Sequence, residues 1–283
     1  MKSDRPSATA HRVAMRRAAH QILDRPRVLD DPIALRIVGP RAEAAIRADP
    51  RRYQSRLGRL LRSFLVARSR VAEDKLATAV AGGVRQYVVL GAGLDTFAYR
   101  NPYPAEFLRV FEVDHPATQA WKRELLDRAG IPAPASLTFV PVDFETQALS
   151  ERLRESGFRT EAPTFFSWLG VTMYLTRETV MATLAFVAAG PPGSGITFDY
   201  LIPPASLPFL RRIGFLLLAH RLKAAGEPWR TWFDPTVLAR DLRELGFTQL
   251  EDLDAATLDA RYFDGGEGPL GGRSVAHVMT AKM

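Results

Sequence analysis

The stretch Arg85-Gln-Tyr-Val-Val-Leu-Gly-Ala-Gly-Leu-Asp-Thr-Phe-Ala-Tyr-Arg100 decides the fold of this chain. Residues 87–90 are an unbroken run of large apolar side chains, which is typical of a short strand buried on both faces in a parallel sheet. The turn Gly91-Ala92-Gly93 follows, where two residues without Cβ let the backbone turn tightly and approach a ligand. Asp95 or Thr96 is the expected N-cap of a following helix. Strand, glycine turn and helix start together predict the first half of a nucleotide-cofactor site.

The same turn departs from the dinucleotide-binding fingerprint. That G-x-G-x-x-G pattern has a third glycine at the position where this chain carries Thr96. A cofactor without a close-packed pyrophosphate is therefore favoured over NAD or FAD. A turn with a purely structural role is the alternative for so short a motif.

Composition excludes several classes of function. The chain has 283 residues, 47% of them hydrophobic and 24% charged, as in an ordinary globular protein of one or two domains. Because it has no cysteine, it has no disulfide, thiolate metal site or cysteine nucleophile. Its histidines are not paired at metal-ligand spacing, so we expect no metal. No apolar run approaches the length of a membrane span, and the first residues lack a signal-peptide core. We expect a soluble cytoplasmic protein without a membrane partner.

The net charge of +7 comes from arginines concentrated before residue 75. A basic segment can indicate nucleic-acid binding. Here the arginines alternate with leucines at helical spacing and are not interleaved with stacking aromatics, so a solvated helix face without a nucleic-acid partner is favoured. The residues concerned are Arg51, Arg52, Arg56, Arg59, Arg62, Arg68 and Arg70.

Apolar runs alternate with helical patterns along the middle of the chain. This alternation predicts an α/β fold with a mostly parallel sheet covered by helices on both faces. Two further runs close the chain and are expected to form a hairpin-type pair at the sheet edge. The predicted strands are 87–90, 108–113, 137–142, 164–168, 196–200, 247–253 and 274–281.

We expect a single domain with four parts. Residues 1–82 form a helical cap, 83–202 the cofactor-binding core, 203–246 a lid and a helix, and 247–283 the last strand pair. The apolar segment 209–222 is either a core helix or a lid over the ligand pocket, and we favour the lid.

Carboxylates stand at the ends of two further strands. Asp114 lies 23 residues after Gly91, where an acidic side chain can accept hydrogen bonds from ribose hydroxyls. We expect Glu112 to alternate to the other side of the strand, so that only one of the two faces the ligand. Asp143, followed by Phe144, suits the amino group and edge of a purine. A solvated carboxylate is the alternative at each position, but three consecutive strands with such residues strengthen the site.

Several of these segments together resemble the leucine carboxyl methyltransferase family. They are residues 90–96 with Tyr99-Arg100, then 111–116, 142–143 and 170–175. Members of the family are S-adenosylmethionine-dependent O-methyltransferases, including bacterial enzymes of secondary metabolism such as polyketide carboxyl methyltransferases. The resemblance covers nearly the whole chain. It implies a class I, Rossmann-like methyltransferase fold with a seven-stranded sheet, an N-terminal helical cap and a lid insertion after the fifth strand.

The resemblance also implies roles for individual residues. Gly91 and Gly93 would lie against the methionine part of S-adenosylmethionine, Asp114 against the ribose, and Asp143 with Phe144 against the adenine. Arg68 would pair with the cofactor carboxylate, which matches the fork geometry of a guanidinium, with help from Arg17. The family usually has a glutamate where this chain has Leu169, after Trp168, and this leaves the substrate open. The full implied set is Arg17, Arg68, Gly91, Ala92, Gly93, Asp95, Glu112, Asp114, Asp143, Phe144, Trp168 and Leu169.

The implied activity is O-methylation of a carboxylate, or a hydroxyl, of a small-molecule acceptor by a monomer or homodimer. A carboxylate is already ionised and needs only to be held in line with the methyl carbon in a dry pocket. A hydroxyl would need a base, and no residue stands out for that role. The alternatives are a non-catalytic binder of the adenosyl cofactor and an NAD- or FAD-dependent oxidoreductase. Candidates to line the acceptor pocket, each also open to a packing role, are Tyr174, Tyr200, Trp229 and Tyr262.

Overall fold

A computed structural model describes residues 8–144, 147–224, 228–263, 268–271 and 274–283. These residues contain a seven-stranded sheet. Its strands are β1 (Gln86–Leu90), β2 (Arg109–Asp114), β3 (Leu137–Pro141), β4 (Thr164–Trp168), β5 (Gly195–Leu201), β6 (Gln249–Leu253) and β7 (Ala276–Lys282).

The sheet has the order β3-β2-β1-β4-β5-β7-β6. The first five strands are parallel, and β7 runs antiparallel to both of its neighbours. Strands β1, β4 and β5 are buried along their whole length, because their side chains are packed on both faces. The predicted α/β class with a mostly parallel sheet is confirmed, and each predicted strand is present.

Helices cover both faces of this sheet. One face packs against α7, α8 and α10, and the other against α5 and α11. The helices are α1 (Ala8–Leu23), α2 (Pro32–Val38), α3 (Pro40–Ala48), α4 (Pro50–Tyr53), α5 (Arg56–Ala81), α6 (Pro116–Arg128), α7 (Leu149–Glu155), α8 (Arg177–Ala188), α9 (Phe209–Ala224), α10 (Pro235–Glu244) and α11 (Ala255–Tyr262).

The part of the chain before β1 is helical, as the sequence predicts, and local chemistry sets its boundaries. Asp31 caps α2 by accepting a hydrogen bond from the Ala34 amide at 3.1 Å. Ser55 caps α5 in the same way through Gly58. Helices α3 and α4 were not predicted, because neither has a long apolar stripe.

The two last strands pair antiparallel, as predicted, but β7 is the inner strand and β6 lies at the edge. Their sequences give the reason. Strand β7 is mostly buried, whereas β6 carries Gln249, Glu251 and Asp252, which leave it partly exposed. Charged side chains are tolerated at a sheet edge and protect it from further pairing. The connection between these strands also contains α11, which the sequence did not predict.

The helix expected after the glycine turn is only a 3₁₀ turn, Phe97–Arg100. Asp95 does act at its start, since the carboxylate accepts a hydrogen bond from the Phe97 amide at 2.8 Å. Thr96 does not act as a cap. Its hydroxyl instead bonds to Asp31 at 2.8 Å, and this contact joins the turn to the helical cap.

A buried ionic cluster fastens the cap to the sheet. Arg17 of α1 donates to Asp31 at 2.5 Å, to Thr96 at 2.7 Å and to Asp95 at 3.1 Å. Arg100 forms a two-pronged ion pair with Glu73 of α5. Helices α1 and α5, the segment before α2 and the glycine turn therefore meet in one polar network.

The predicted solvated face of α5 is only partly correct. Arg56, Arg59 and Arg70 are exposed. Arg62 is only 1% exposed, and its guanidinium donates two hydrogen bonds of 2.6 Å to Asp24. Helix α5 is wedged between α1 and the sheet, so arginines on its inner face must be paired.

Helix α9 is not a core helix. Phe215 is buried at 5% exposure, but Phe209, Leu216 and Leu217 are 65%, 53% and 60% exposed. No described residue of α9 lines the cavity presented below, so its role as a lid stays a prediction. Among the residues that the structure describes, no helix is both long enough and apolar enough to cross a membrane.

Replacing Asp31 with Ala should lower the free energy of unfolding by about 3–5 kcal/mol, because it leaves the buried Arg17 without its main partner and removes the α2 cap. Urea denaturation measures the change. Asp30→Ala is the matched control: this neighbour has 77% of its side chain exposed, and its loss should change stability by less than about 0.5 kcal/mol. Equal effects for the two variants would contradict the anchoring role of the cluster.

Candidate functional site

A cavity of about 240 Å³ opens at the carboxyl edge of the sheet. Its wall is formed by the ends of β1, β2 and β4, the segment after β3, and helices α1 and α5 of the cap. This is where ligands bind in open α/β sheets. The structure brings most of the predicted residues together here: Arg17, Arg68, Gly91, Ala92, Gly93, Asp95, Asp114, Asp143, Phe144, Leu169 and Tyr174.

The glycine turn forms the centre of the wall, and both glycines are required. Gly91 has φ +65°, and a Cβ there would lie 2.4 Å from Cγ2 of Val171. Gly93 has φ +49°, and its Cβ would lie 3.2 Å from Ala10 of the cap. Only glycine combines this backbone conformation with so close an approach. The turn therefore brings its backbone directly to the cavity.

Asp114 is tied to this turn. One carboxylate oxygen accepts a hydrogen bond from the Gly93 amide at 2.5 Å, and the other accepts one from the His115 amide at 2.6 Å. Burial raises the pKa of Asp114, against the opposing effect of these two amides. The ends of β1 and β2 are thus held in a fixed relation at the cavity wall.

Arg68 reaches the cavity from α5 and is held by a residue that the sequence analysis missed. Asp199 of β5, fully buried, accepts a hydrogen bond from Arg68 Nη1 at 2.5 Å and one from the Gly170 amide at 2.5 Å. Arg68 Nε is buried without a hydrogen-bond partner among the described residues. An aspartate inside the apolar run 196–200 was the available signal, since a charge is rarely buried without a partner.

The floor of the cavity is a hydrogen-bonded pair that was also missed. The Tyr87 hydroxyl donates to Ser167 Oγ at 2.8 Å, and both side chains line the cavity. Burial raises the pKa of Tyr87 well above its ordinary value, so the phenol stays protonated. Thr118 Oγ1 lines the same cavity and is buried without a partner among the described residues.

Glu112 does not reach the cavity, and the predicted alternation with Asp114 is wrong. Residues two apart share one face of a strand, so the two carboxylates lie on the same side. Glu112, however, lies about 7 Å further from the carboxyl end of β2 than Asp114, and so further from the cavity. There it pairs with Lys122 of α6 at 2.6 Å. Burial raises the pKa of Glu112 to about 7, against the opposing charge of Lys122.

Trp168 and Tyr200 lie in the apolar core and outside the cavity wall. Trp168 is completely buried and packs in the apolar core on one face of the sheet, because it alternates with Ser167, which faces the cavity. Tyr200 packs in the same core, and its hydroxyl donates to Asp252 at 2.8 Å. Neither side chain lines the cavity, and for Tyr200 this agrees with the packing role that the sequence left open.

Two other predicted acceptor-pocket residues also lie outside the cavity wall. The Trp229 ring packs against Phe215 of α9 at a centroid distance of 5.1 Å. The Tyr262 hydroxyl donates to Asp74 at 2.9 Å. Of the four candidates, Tyr174 alone lines the cavity, and two neighbours of Trp229, Pro228 and Arg230, do so as well.

The chemistry of the lining is mixed. Leu169, where the resemblance expects a glutamate, lies in the wall, whose apolar side chains also include Val171, Leu175 and Pro228. Among the described residues no group of three or more histidine, cysteine or acidic side chains could hold a metal ion.

Comparison with known proteins identifies the family. A family model described as leucine carboxyl methyltransferase matches residues 10–188. The chain belongs to this family, and the resemblance drawn from its motifs is confirmed.

Individual relatives agree with this assignment. The chain is 32% identical, over 305 aligned residues that cover 99% of each chain, to YktD of Bacillus subtilis (strain 168), named as a candidate S-adenosyl-L-methionine-dependent methyltransferase. It is 33% identical to a protein of the same designation from Mycobacterium marinum, with 70% of this chain and 67% of the other covered.

A solved structure shows the same fold. A candidate methyltransferase from Thermobifida fusca matches with a TM-score of 0.57 and 17% identity, covering 99% of this chain and 96% of that one. The class I, Rossmann-like fold expected from the sequence is thereby confirmed.

Gly91→Ala should destabilise the protein more than Gly130→Ala. Both glycines have nearly the same φ, +65° and +60°, but a Cβ at Gly130 meets nothing within 4 Å. Gly130→Ala should cost about 1–2 kcal/mol for the left-handed conformation alone. Gly91→Ala should cost a further 1–3 kcal/mol, roughly, for the collision with Val171. Urea denaturation measures both.

Adding Val171→Ala to Gly91→Ala should recover part of the loss, because it removes the colliding atom. If the double variant were no more stable than Gly91→Ala, the close approach would not be the cause.

Proposed function

We propose that this protein transfers the methyl group of S-adenosylmethionine to a carboxylate oxygen of a small-molecule acceptor. Membership of the leucine carboxyl methyltransferase family makes it an S-adenosylmethionine-dependent methyltransferase. The choice of a carboxylate as the acceptor group is an inference from the chemistry of the cavity.

The cavity fits the cofactor. Three residues of its wall carry a buried polar atom without a partner among the described residues, namely Arg17 Nε, Arg68 Nε and Thr118 Oγ1, and its glycine turn leaves no room for side chains. A buried donor that lacks a partner is costly, so a ligand that supplies one is favoured. S-adenosylmethionine brings a carboxylate suited to the guanidinium of Arg68.

Other residues of the wall would each contact a different part of the cofactor. Gly91 and Gly93 would hold its methionine part, Asp114 its ribose hydroxyls, and Asp143 with Phe144 its adenine. When bound, the cofactor supplies an electrophilic methyl group on a positively charged sulfur.

The observation that carries the choice of a carboxylate is that three of the four acidic side chains in the described cavity wall are engaged, while the fourth, Asp143, is assigned to the adenine. Glu73 is paired with Arg100, Asp95 with Arg17, and Asp114 with two backbone amides. Burial raises the pKa of Glu73 and of Asp114, but both oxygens of each carboxylate already accept hydrogen bonds, so taking a proton from an acceptor would give up one of these contacts. An acceptor that is ionised before it binds needs no base.

The other titratable groups of the wall do not replace these carboxylates as a base. His115 Nδ1 accepts a hydrogen bond from the Ala117 amide at 3.2 Å. In a neutral imidazole the other nitrogen then carries the proton and can only donate. The Tyr87 phenol stays protonated because burial raises its pKa. These residues can orient or polarise an acceptor, but none of them is set to take its proton.

The work of the protein is then alignment and exclusion of water. The apolar surface of Leu169, Val171, Leu175 and Pro228 removes water from the acceptor carboxylate, which strengthens its nucleophilicity. The rigid glycine turn and the Arg68–Asp199 pair hold the adjoining part of the wall, since Gly91 lies against Val171 and Arg68 against Gly170. An in-line arrangement of oxygen, methyl carbon and sulfur lowers the barrier by converting a bimolecular step into a positioned one. Leu169 in place of a carboxylate extends the apolar surface.

Asp114→Ala should weaken the binding of S-adenosylhomocysteine by about 1–3 kcal/mol, because ligand hydroxyls lose a buried acceptor. Isothermal titration calorimetry measures the affinity. The control is Glu112→Gln, on the same face of the same strand but outside the cavity, which should leave the affinity unchanged. NAD should not bind to either protein or to the wild type.

The reverse pattern, with loss of affinity in Glu112→Gln and none in Asp114→Ala, would contradict the assignment of the cavity. Binding of NAD in preference to S-adenosylhomocysteine would favour an oxidoreductase.

The rate of methyl transfer should not depend on pH between about pH 6 and 9, because a carboxylate with a pKa near 4 is ionised throughout this range. Transfer of tritium from labelled S-adenosylmethionine to a panel of carboxylic acids and matched phenols measures it. A phenol, with a pKa near 10, would instead show a rate that rises about tenfold per pH unit. Rates that rise in this way, on phenols alone, would replace the carboxylate with a hydroxyl acceptor.

A further inference from the structure

Residues 228–233 form neither a helix nor a strand, and Pro228 and Arg230 of this segment line the cavity. The backbone of these residues is fixed to the segment after β4 and to β5. The Arg230 amide donates to the Met173 carbonyl at 2.7 Å, the Thr231 hydroxyl to the Leu175 carbonyl at 2.5 Å, and the Phe233 amide to the Leu201 carbonyl at 2.8 Å. The direction of each side chain in this segment is therefore set by the fold.

Side chains along this segment alternate between the interior and solvent. Thr231 and Phe233 are buried, whereas Arg230 and Trp232 are exposed, with 44% of Trp232 accessible. Arg230 and Trp232 are exposed and line the same groove, so a guanidinium and an indole are presented together. They border an open groove whose other wall is Thr176, Arg177 and Glu178, at the start of α8.

Arg230 belongs to both spaces, since it lines the inner cavity and the outer groove. It also differs from the other arginines of the cavity. Arg17 pairs with Asp31 and Arg68 with Asp199, whereas within the described part of the chain no hydrogen bond or ion pair engages the Arg230 side chain. Among the residues that the structure describes, it is therefore a positive charge without a paired carboxylate, and it lies between the inner cavity and the outer groove.

The charges around the groove leave Arg230 as the group available to a ligand. Arg177 is paired with Asp241. The carboxylate of Glu178 is held by its own backbone amide and by Thr176, and these hydrogen bonds lower its pKa. A guanidinium with free donors, next to an exposed aromatic face, matches an acidic group attached to an apolar chain or ring.

We propose that this groove is an outer subsite for the acceptor, and that Arg230 pairs there with a second acidic group that is not methylated. Trp232 packs against the apolar portion beside that group. The acceptor class is then an acid with two carboxylates, one entering the dry inner cavity and one remaining at the solvated rim. This inference rests on the proposed methylation of a carboxylate and adds the feature that selects among acids.

Arg230 is unsuited to holding the reacting carboxylate itself. It is exposed at the rim, whereas methyl transfer needs an oxygen stripped of water. A guanidinium bound to the reacting oxygen would also withdraw charge from the nucleophile. In the reaction the carboxylate oxygen gains the methyl carbon, the carbon–sulfur bond breaks with its electron pair staying on sulfur, and no proton is transferred. The second carboxylate keeps its charge and its contact with Arg230.

The test compares matched acids in the full-length protein with tritiated S-adenosylmethionine. Straight-chain dicarboxylic acids of four to twelve carbons are set against monocarboxylic acids of equal length, such as octanedioate against octanoate. The wild type should give a KM for the best diacid about fivefold or more below that for its monoacid, as for a partly exposed charge pair. Arg230→Gln should abolish this preference, with little change in the KM for monoacids.

Two further variants make the test specific. Arg230→Glu should turn the preference toward an ω-amino acid such as 8-aminooctanoate, because the charge at the rim is reversed. Arg243→Gln removes the same charge from an exposed position on α10, outside the cavity, and should keep the diacid preference. The affinity for S-adenosylhomocysteine should be unchanged in all three variants.

Equal KM values for diacids and monoacids in the wild type, or a preference that survives in Arg230→Gln, would overturn the outer subsite while leaving the proposed function intact. Binding of S-adenosylhomocysteine without methylation of any acid would instead overturn the proposed carboxylate acceptor, and the subsite with it.

Discussion

The contact between Arg17 and the Asp31–Thr96–Asp95 group is the constraint on which the site depends. It joins a helix from the first part of the chain to the turn that follows the first strand. All of these side chains are largely buried, so none can be removed without leaving a charge or a hydroxyl unpaired in the interior. The helical cap therefore forms a fixed part of the cavity wall.

This network explains the roles of the residues in the glycine-turn motif. In the string Leu90-Gly-Ala-Gly-Leu-Asp-Thr96 the glycines admit neighbours from the segment after β4 and from α1, and the two polar residues bind the cap. Arg100, a turn later, binds Glu73 of the long helix α5. A dinucleotide-binding turn has a third glycine in place of Thr96. Here the position holds Thr96, whose hydroxyl attaches the helical cap to the turn.

The sequence predicted the sheet well because its parallel strands are short apolar runs. It predicted the helices less well, since α3, α4 and α11 were missed and the helix expected after the glycine turn is a 3₁₀ turn. It predicted the cavity residues where a strand end or a family motif marked them. It failed where side-chain direction decides the outcome. Glu112 and Trp168 have suitable chemistry, but one lies too deep and the other on the opposite face.

The sequence could not predict the roles of residues whose partners are remote in the chain. Asp199 acquires its role from Arg68, which is remote in the chain, and only the packing of α5 against β5 brings the two together. Arg230 has its position because three hydrogen bonds fix the segment around it. Such pairings depend on the fold as a whole and therefore cannot be predicted from periodicity or motif spacing.

The placement of β7 between β5 and β6 has a consequence for how this protein acquires its structure. Leu201 pairs with Ala276, and Gly195 with Lys282, across a part of the chain that contains three helices and β6. One of the innermost strands thus receives a neighbour that is remote in sequence. Closing a loop of that length costs entropy before any pairing is gained. Insertion of β7 should accordingly be a slow step of folding, and until it occurs β5 presents an open edge to other chains.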